Sequence, residues 1–458
     1  MRFIKLIMFT SLSLGIAFQA KATVIAVIDS GTDLSHPDLV NKEWTNPIDI
    51  DDAIDNDDNG YVDDVHGWNF AENNNKLYDK SFLGTFSADT YKFFEVQTRL
   101  LRGSGTQADS DWIKAKKDDS SFIEGLETFG NFVHGTHVAG IIAKNTPNAQ
   151  IMVLKIMSTK RPSFGGKKKG SPSAPTPCGP DSVVPEALFK AGLKELAEQQ
   201  GKALTPFGEY VNTEKARVAN CSFGISTANA EVTLRPIFRV LLSCDPSKET
   251  LDKYASYFVD QIIISQKAMV TAAPQTLFVI AAGNDGSDND VFPASPANIK
   301  LVNTISVAAT MDYTKIASFS NFGKTMVEVA APGVGIESSI PGNQHLTVSG
   351  TSQAAPFVAN VAGQILDQNP SLNITDLKKI IMSTVDMKSF LKDKVVAGGI
   401  VNPARAIAAA KLSKSLGLDD AIKNARLQVN DITSKNPKFS RRISEDYEGF
   451  VLPLPTLL

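Results

Sequence analysis

Cysteine, tryptophan and histidine are all scarce in this chain, with three, three and five copies among 458 residues. Three cysteines cannot staple a small disulfide fold, and the odd number leaves at least one thiol free or paired between chains. Neither sign of charge dominates: 46 Lys+Arg stand against 49 Asp+Glu, a net −3. That balance speaks against a nucleic-acid partner, which calls for a basic excess. Beyond residue 22 no apolar run is long enough to cross a bilayer, so no membrane span is expected in the mature chain. What is present is ordinary for a globular protein, with 43% hydrophobic and 21% charged residues. The length suits roughly two or three domains, or one large α/β domain with insertions. Either leaves ample chain for a core. A collagen-like fibre and a wholly disordered chain are excluded.

The first 22 residues stand apart. Arg2 and Lys5 precede a mostly apolar run over 6–18, and Ala20-Lys21-Ala22 offers small residues at a cleavage site. This is the pattern of a secretory signal peptide over 1–22, and the run is too short to anchor the chain across a bilayer. Its removal takes away Arg2, Lys5 and Lys21 and no acid, moving the net charge from −3 to −6. The mature protein is therefore expected to be exported, either secreted or periplasmic. Export permits disulfides. Cys221 lies in an apolar run and reads as an inert buried thiol. Cys178 and Cys244 sit in polar loops flanked by proline, where a pair or two free thiols both fit.

Apolar, β-branched runs at 23–28, 151–156, 217–221, 276–282 and 304–308 read as strands buried on both faces. Helical patterns fall at 137–144, 184–200, 254–269 and 353–367. Strands alternating with helices imply an α/β fold: a doubly wound, mostly parallel sheet with helices on both faces. Two segments, about 71–130 and 158–180, look polar and aperiodic, and are expected to be long surface loops. The second holds Lys167-Lys168-Lys169, which reads as solvated. The main domain is expected over 23–410, with a tail at 411–458. Within the tail, 416–429 suits a short amphipathic helix, and an apolar end follows a polar linker.

Four sites carry chemistry. Asp29 closes the first strand in Asp29-Ser30-Gly31, and ligands of open α/β sheets bind beyond the carboxyl ends of strands. His134 opens an expected helix in His134-Gly135-Thr136-His137-Val138-Ala139-Gly140. A helix start favours neutral imidazole, the form a general base needs. The pair His134 and His137 lacks the spacing and the glutamate of a zinc motif. Ala282-Gly283-Asn284 places an amide at a strand end. Ser352 stands near the start of a helix in Gly350-Thr351-Ser352-Gln353-Ala354-Ala355-Pro356, where free backbone N–H groups favour a developing negative charge. Singly, these residues also suit caps and turns.

Jointly, in the order Asp, His, Ser, the motifs resemble the subtilisin-like serine proteases. The resemblance runs from about 23 to 410 and includes Ala330-Ala331-Pro332-Gly333 and Gly398-Gly399-Ile400-Val401-Asn402-Pro403. It implies a serine endopeptidase acting on a protein or peptide as a monomer, without a catalytic cofactor. Ser352 would be the nucleophile, His134 the base, and Asp29 the residue that orients it. Asn284 and the Ser352 N–H would bind the oxyanion. Ser222, Phe223, Gly224 and Gly283 match the substrate-binding segments, with Phe223 an apolar wall of the pocket; ordinary core packing also fits Phe223. Gln353, Phe357 and Asn360 depart from the family's usual Met, His and Gly.

The resemblance has two further implications and leaves two rivals. Thr23 follows the signal peptide directly, which leaves no room for the propeptide of many relatives, so the tail's apolar end is a candidate occupant of the cleft. Asp55, Asp57 and Asn59 stand at positions 1, 3 and 5 of a loop with Gly60 at 6, the start of a Ca²⁺ loop. Asp-rich loops before Gly-Trp-Asn-Phe occur in some subtilases. The candidate ligands of a structural Ca²⁺ are Asp55, Asp57, Asn59, Tyr61, Asp63 and Asp64. Position 12 is His66, so this is no EF-hand, and a solvated acidic turn also fits. The rivals are a non-catalytic scaffold of the same fold and a processing protease with a narrow substrate.

Overall fold

Val24–Asp29 is buried at every position, as only a strand covered on both faces can be. It is β1 of a computed structural model that describes residues 22–146, 148–160, 177–178 and 185–433. Strands β2 (Gly67–Asn69), β3 (Gln150–Lys155), β4 (Val218–Cys221), β5 (Ile225–Ser226) and β6 (Leu277–Ala281) follow. Next come β7 (Ala294–Ser295), β8 (Thr304–Met311), β9 (Lys315–Ile316) and β10 (Val329–Pro332). Then come β11 (Ile336–Ile340), β12 (Gln344–Val348), β13 (Asp386–Met387) and β14 (Gly399–Ile400). The main sheet runs β13-β14-β10-β8-β6-β4-β1-β3-β2, parallel except at β13, with β9 antiparallel on β8. All five expected strands are present, and β8 runs three residues beyond its expected end at 308.

Helices α1 (Ala88–Leu101), α2 (Gln107–Lys117), α3 (Ser120–Ala143), α4 (Glu186–Thr213) and α5 (Thr227–Leu242) come first along the chain. They are followed by α6 (Lys248–Ala272), α7 (Thr351–Gln368), α8 (Ile374–Ser383), α9 (Pro403–Leu412) and α10 (Leu418–Gln428). The strand period of two sorts the core. Ile25 and Val27 join one cluster with Val138 of α3, Val358 of α7, Leu377 of α8 and Ala406 of α9. Val24, Ala26 and Ile28 join the other with Leu193 of α4, Phe238 of α5 and Phe258 of α6. Helices thus cover both faces, as expected of a doubly wound sheet.

The segment 71–130 is not a surface loop. It holds α1, α2 and the first eleven residues of α3, with a core of its own. Phe93, Val96 and Leu100 recur at helical spacing on α1, and Phe129 and Phe132 meet them from α3. Each such buried side chain contributes about 1.5–3 kcal/mol. Thr106 and Asp109 form a capping box that starts α2, and Asp119 caps α3. The polar average of the segment hides this periodicity. The core also takes Ile340 and Leu346 from the β11–β12 hairpin. Residues 1–21 and 161–176 lie outside the described residues, so the signal peptide and most of the second expected loop do too. Cys178 and Cys244 form a disulfide, and Cys221 is buried and unpaired.

The packed unit reaches past 410. Helix α10 forms within the expected 416–429 and buries Ala421, Ile422 and Ala425 against the sheet-facing helices. Arg405, with its side chain 3% exposed, holds the following residues: its guanidinium donates to Asp386 Oδ1 at 3.0 Å, Val429 O at 2.9 Å and Asp431 Oδ1 at 2.6 Å. Residues 434–458, with the apolar end, lie outside the described residues.

Arg405→Ala leaves the fully buried Asp386 without its cation, and we expect a loss of about 3–5 kcal/mol in urea unfolding. Asp431→Ala, on the half-exposed partner, is expected to lose about 1 kcal/mol or less; equal losses would contradict this assignment. A second prediction concerns acid. His137 is fully buried, its Nε2 bonded to Leu346 O at 3.0 Å, and burial pushes its imidazole down to about 4. Between pH 6.5 and 4 the unfolded chain holds the extra proton, so stability falls as pH falls through that window, by about 3 kcal/mol. The pH-dependence of Tm measures this, and His137→Gln is expected to flatten it.

Candidate active site

Asp29 ends β1 with 1% exposure, and its Oδ1 accepts hydrogen bonds from Ser30 N at 2.7 Å and His134 Nδ1 at 2.6 Å. A carboxylate can only accept, so Nδ1 carries a proton, and in the neutral ring the lone pair is on Nε2. Ser30 Oγ accepts from Gly135 N at 3.2 Å and so ties β1 to the helix. Two glycines allow this approach. A Cβ at Gly135 would lie 2.2 Å from the Gly31 carbonyl oxygen, and Gly31 itself has φ +108°.

His134 does not open a helix. It is the fifteenth residue of α3, which starts at Ser120, so the helix dipole at an N-terminus plays no part in its chemistry. Its orientation comes from Asp29. The helix starts at Ser120 rather than near 137 because Leu126, Phe129 and Phe132 pack its upstream turns into the insertion's core.

Ser352 is the second residue of α7 and is buried, with 3% exposure. Its Oγ donates to Ser222 O at 3.4 Å, and Ser222 Oγ donates to Ser352 O at 3.1 Å. Ser222 follows β4, the parallel neighbour of β1, so the strand ends bring the Asp29 pair and the serine helix to one edge of the sheet. Asn284 follows β6. Its Oδ1 accepts from both Thr351 N at 2.9 Å and Thr351 Oγ1 at 2.8 Å. With the carbonyl end fixed by α7, the amide Nδ2 points along Gly350, 3.4 Å from where a Cβ there would stand. The first N–H groups of α7 have no partner within the helix. An amide donor and a helix N-terminus therefore flank the serine, an arrangement able to stabilise an oxyanion.

Gly224 and Gly283 line a small recess of only about 10 Å³ with Ile225, Ser226, Asp285 and Ala294. Phe223 does not wall it: the ring is 1% exposed and belongs to the core beneath α4–α6. Phe223 lies in the link between β4 and β5 and turns into that core, while Gly224 lines the recess. Asn360, unusual for its position, donates to Ile142 O at 2.9 Å and Lys144 O at 2.6 Å, and so caps the end of α3. Phe357 packs on the first core. Gln353 is buried, and its Nε2 has no hydrogen-bond partner among the described residues.

The acidic loop divides. Asp55 and Asp57 converge with Asp49, one carboxylate oxygen from each lying within 4.8 Å of the others. Asp49 was missed because it precedes the motif. Asn59 donates to Asp57 at 3.2 Å and Asp64 at 3.1 Å. Asp64 is buried, accepts from Tyr210 Oη at 2.7 Å, and is pushed up to about 6 by burial. Glu214, far off in sequence, faces the same group and is raised to about 7 by burial and then by the charges of Asp64 and Asp57. The Tyr61 ring packs on Trp68, Phe70 and Tyr210. Asp63 turns away and accepts from the N–H groups of Asp52 and Ala53.

A family model described as the subtilase family matches residues 20–418. The thermophilic serine proteinase of Bacillus sp. (strain AK1) is 30% identical over 253 residues, 55% of this chain and 47% of that protein. The cell wall-associated protease of Bacillus subtilis (strain 168) is 39% identical over 114 residues, 25% of this chain and 12% of that protein. The matched stretches thus span less than half the length of these relatives. Among solved structures, a cold adapted subtilisin-like serine proteinase has a TM-score of 0.43 at 18% identity, over 81% of this chain and 87% of that one. Both the sequence motifs and the α/β sheet meet the family's description, and the chain belongs to the subtilase family.

Proposed function

We propose that this chain is an exported serine endopeptidase that cleaves proteins or peptides through an acyl-enzyme on Ser352. The observation that carries the reading is the 2.6 Å bond from His134 Nδ1 to the buried Asp29. It presents the Nε2 lone pair as a general base. Ser352 Oγ turns from Ser222 O to His134 Nε2 as substrate binds. The Oγ–C bond forms, and the proton passes to His134 and then to the leaving amine as the C–N bond breaks. Water repeats the sequence in reverse order of groups and frees the acid. Asn284 Nδ2 and the Ser352 N–H stabilise the oxyanion. The signal-like segment and the Cys178–Cys244 disulfide support export, secreted or periplasmic. The helical insertion packs against β12, which leads to Ser352, and this favours a narrow range of substrates.

A fluorophosphonate probe tests the reading. Labelling of the wild type but not of Ser352→Ala is expected; no labelling of either folded protein would mean a non-catalytic member of the fold. Asn284→Ala is expected to lower kcat about 10²–10³-fold, a range set by subtilisin's own oxyanion donor.

We also propose a structural Ca²⁺ held by Asp49, Asp55 and Asp57. Three carboxylates this close repel without a cation, and hard oxygen donors suit Ca²⁺. Chelation is expected to lower Tm by several degrees in the wild type and by much less in Asp55→Asn/Asp57→Asn. A Tm indifferent to chelator in the wild type would remove the ion from this loop.

A further inference from the structure

Two of the five histidines meet away from the loop and the triad. His36 lies in the turn after β1, and His345 in β12. Asp38 stands between them. One ligand atom from each of the three lies within 4.8 Å of the other two. The rings meet edge to face with centroids 5.2 Å apart. His345 Nε2 is 2.7 Å from Asp38 Oδ2, and His36 Nδ1 is 3.8 Å from the same oxygen. Ser339 Oγ donates to it at 2.6 Å. His36 is buried, while Asp38 and His345 are each 48% exposed.

The buried ring decides the chemistry. His36 Nε2–H donates to the Gln344 carbonyl at 3.0 Å, which leaves Nδ1 as the lone-pair nitrogen on the Asp38 side. At present Nδ1 accepts from Asp38 N at 3.1 Å. Metal-ligating histidines commonly have this form, with the far N–H fixed on a carbonyl. Two imidazoles and one carboxylate suit Zn²⁺ and its neighbours, whereas Ca²⁺ and Mg²⁺ take oxygen donors.

We propose that His36, Asp38 and His345 bind one divalent transition-metal ion of the Zn²⁺ type, with solvent at a fourth position. The ion takes the lone pairs of His36 Nδ1 and His345 Nε2 and one Asp38 oxygen. It replaces both the His345–Asp38 hydrogen bond and the one from Asp38 N to His36 Nδ1, whose N–H turns to solvent, and any His345 Nε2 proton leaves to solvent. The bound ion links the turn beyond Asp29 to the strand that leads into Ser352. Binding here does not depend on peptide hydrolysis.

The test uses the full chain, free of affinity-tag histidines and saturated with Ca²⁺, titrated with Co²⁺ and then Zn²⁺. One Co²⁺ per chain with the visible bands of four-coordinate cobalt is expected, displaced by Zn²⁺. Zn²⁺ at a hundredfold excess over Kd is expected to raise Tm by about 3 °C. Both ligands to be changed are half exposed, so His345→Ala and Asp38→Asn should fold, and each is expected to weaken Zn²⁺ more than about 10-fold. His134→Ala is expected to bind as the wild type does. Binding lost in His134→Ala but kept in His345→Ala would place the ion on the triad and overturn the proposal. So would a folded wild type that gives no cobalt bands. Fluorophosphonate labelling reads the peptidase assignment separately, so the two fail independently.

Discussion

The contact between the end of β1 and the middle of α3 is the constraint on which the site rests. Backbone meets backbone there, with Gly135 against the Gly31 carbonyl and no space for a methyl group. Only at that separation can a carboxylate on the strand and an imidazole on the helix share a 2.6 Å bond. The glycines beside Asp29 and His134 are thus as necessary to the pair as the carboxylate and the imidazole themselves. Ser30 closes the same contact through Gly135 N.

Around this contact the sheet acts as a ruler. Parallel strands end at a common edge, and β1, β4 and β6 are adjacent there. Each delivers one element: Asp29, Ser222 against Ser352, and Asn284 against the start of α7. Register fixes their spacing, since Ile28 pairs with Cys221 and Cys221 with Ile280. A slip of one residue would turn each side chain to the wrong face. Apolar packing on both faces is what forbids the slip, so the two cores and the site are one problem in side-chain fit.

Much of this was legible in the sequence, and the reasons it stopped are physical. The strands showed because burial on both faces leaves only apolar, β-branched residues, as in Val24–Ile28. Asp29, His134, Asn284 and Ser352 stood out because short motifs carry their own backbone context. Helices α1 and α2 did not, since charged residues on their outer faces dilute a stripe of phenylalanines. That oversight displaced the start of α3 and with it the dipole ascribed to His134. Phe223 was open to two readings, pocket wall or core, and only the packing of α4–α6 decides for the core. Asp49 and Glu214 join the acidic loop only through folding, and a local motif contains no trace of them. Asn360 stood out as a departure, yet its use as a cap on α3 required the neighbouring helix.

That cap has a mechanical meaning. Helix α3 is a rod of 24 residues, fastened near one end by Asn360 and sunk at the other in the aromatic core of the insertion. At 1.5 Å per residue, His134 lies about 12 Å from the fastening and Ser120 about 33 Å. The contact of Gly135 with Gly31 lies between the two ends, so a tilt of the rod bears directly on it. The insertion therefore holds the far end of the same rod that carries His134, and its aromatic core and the Asn360 cap share in setting where the imidazole stands.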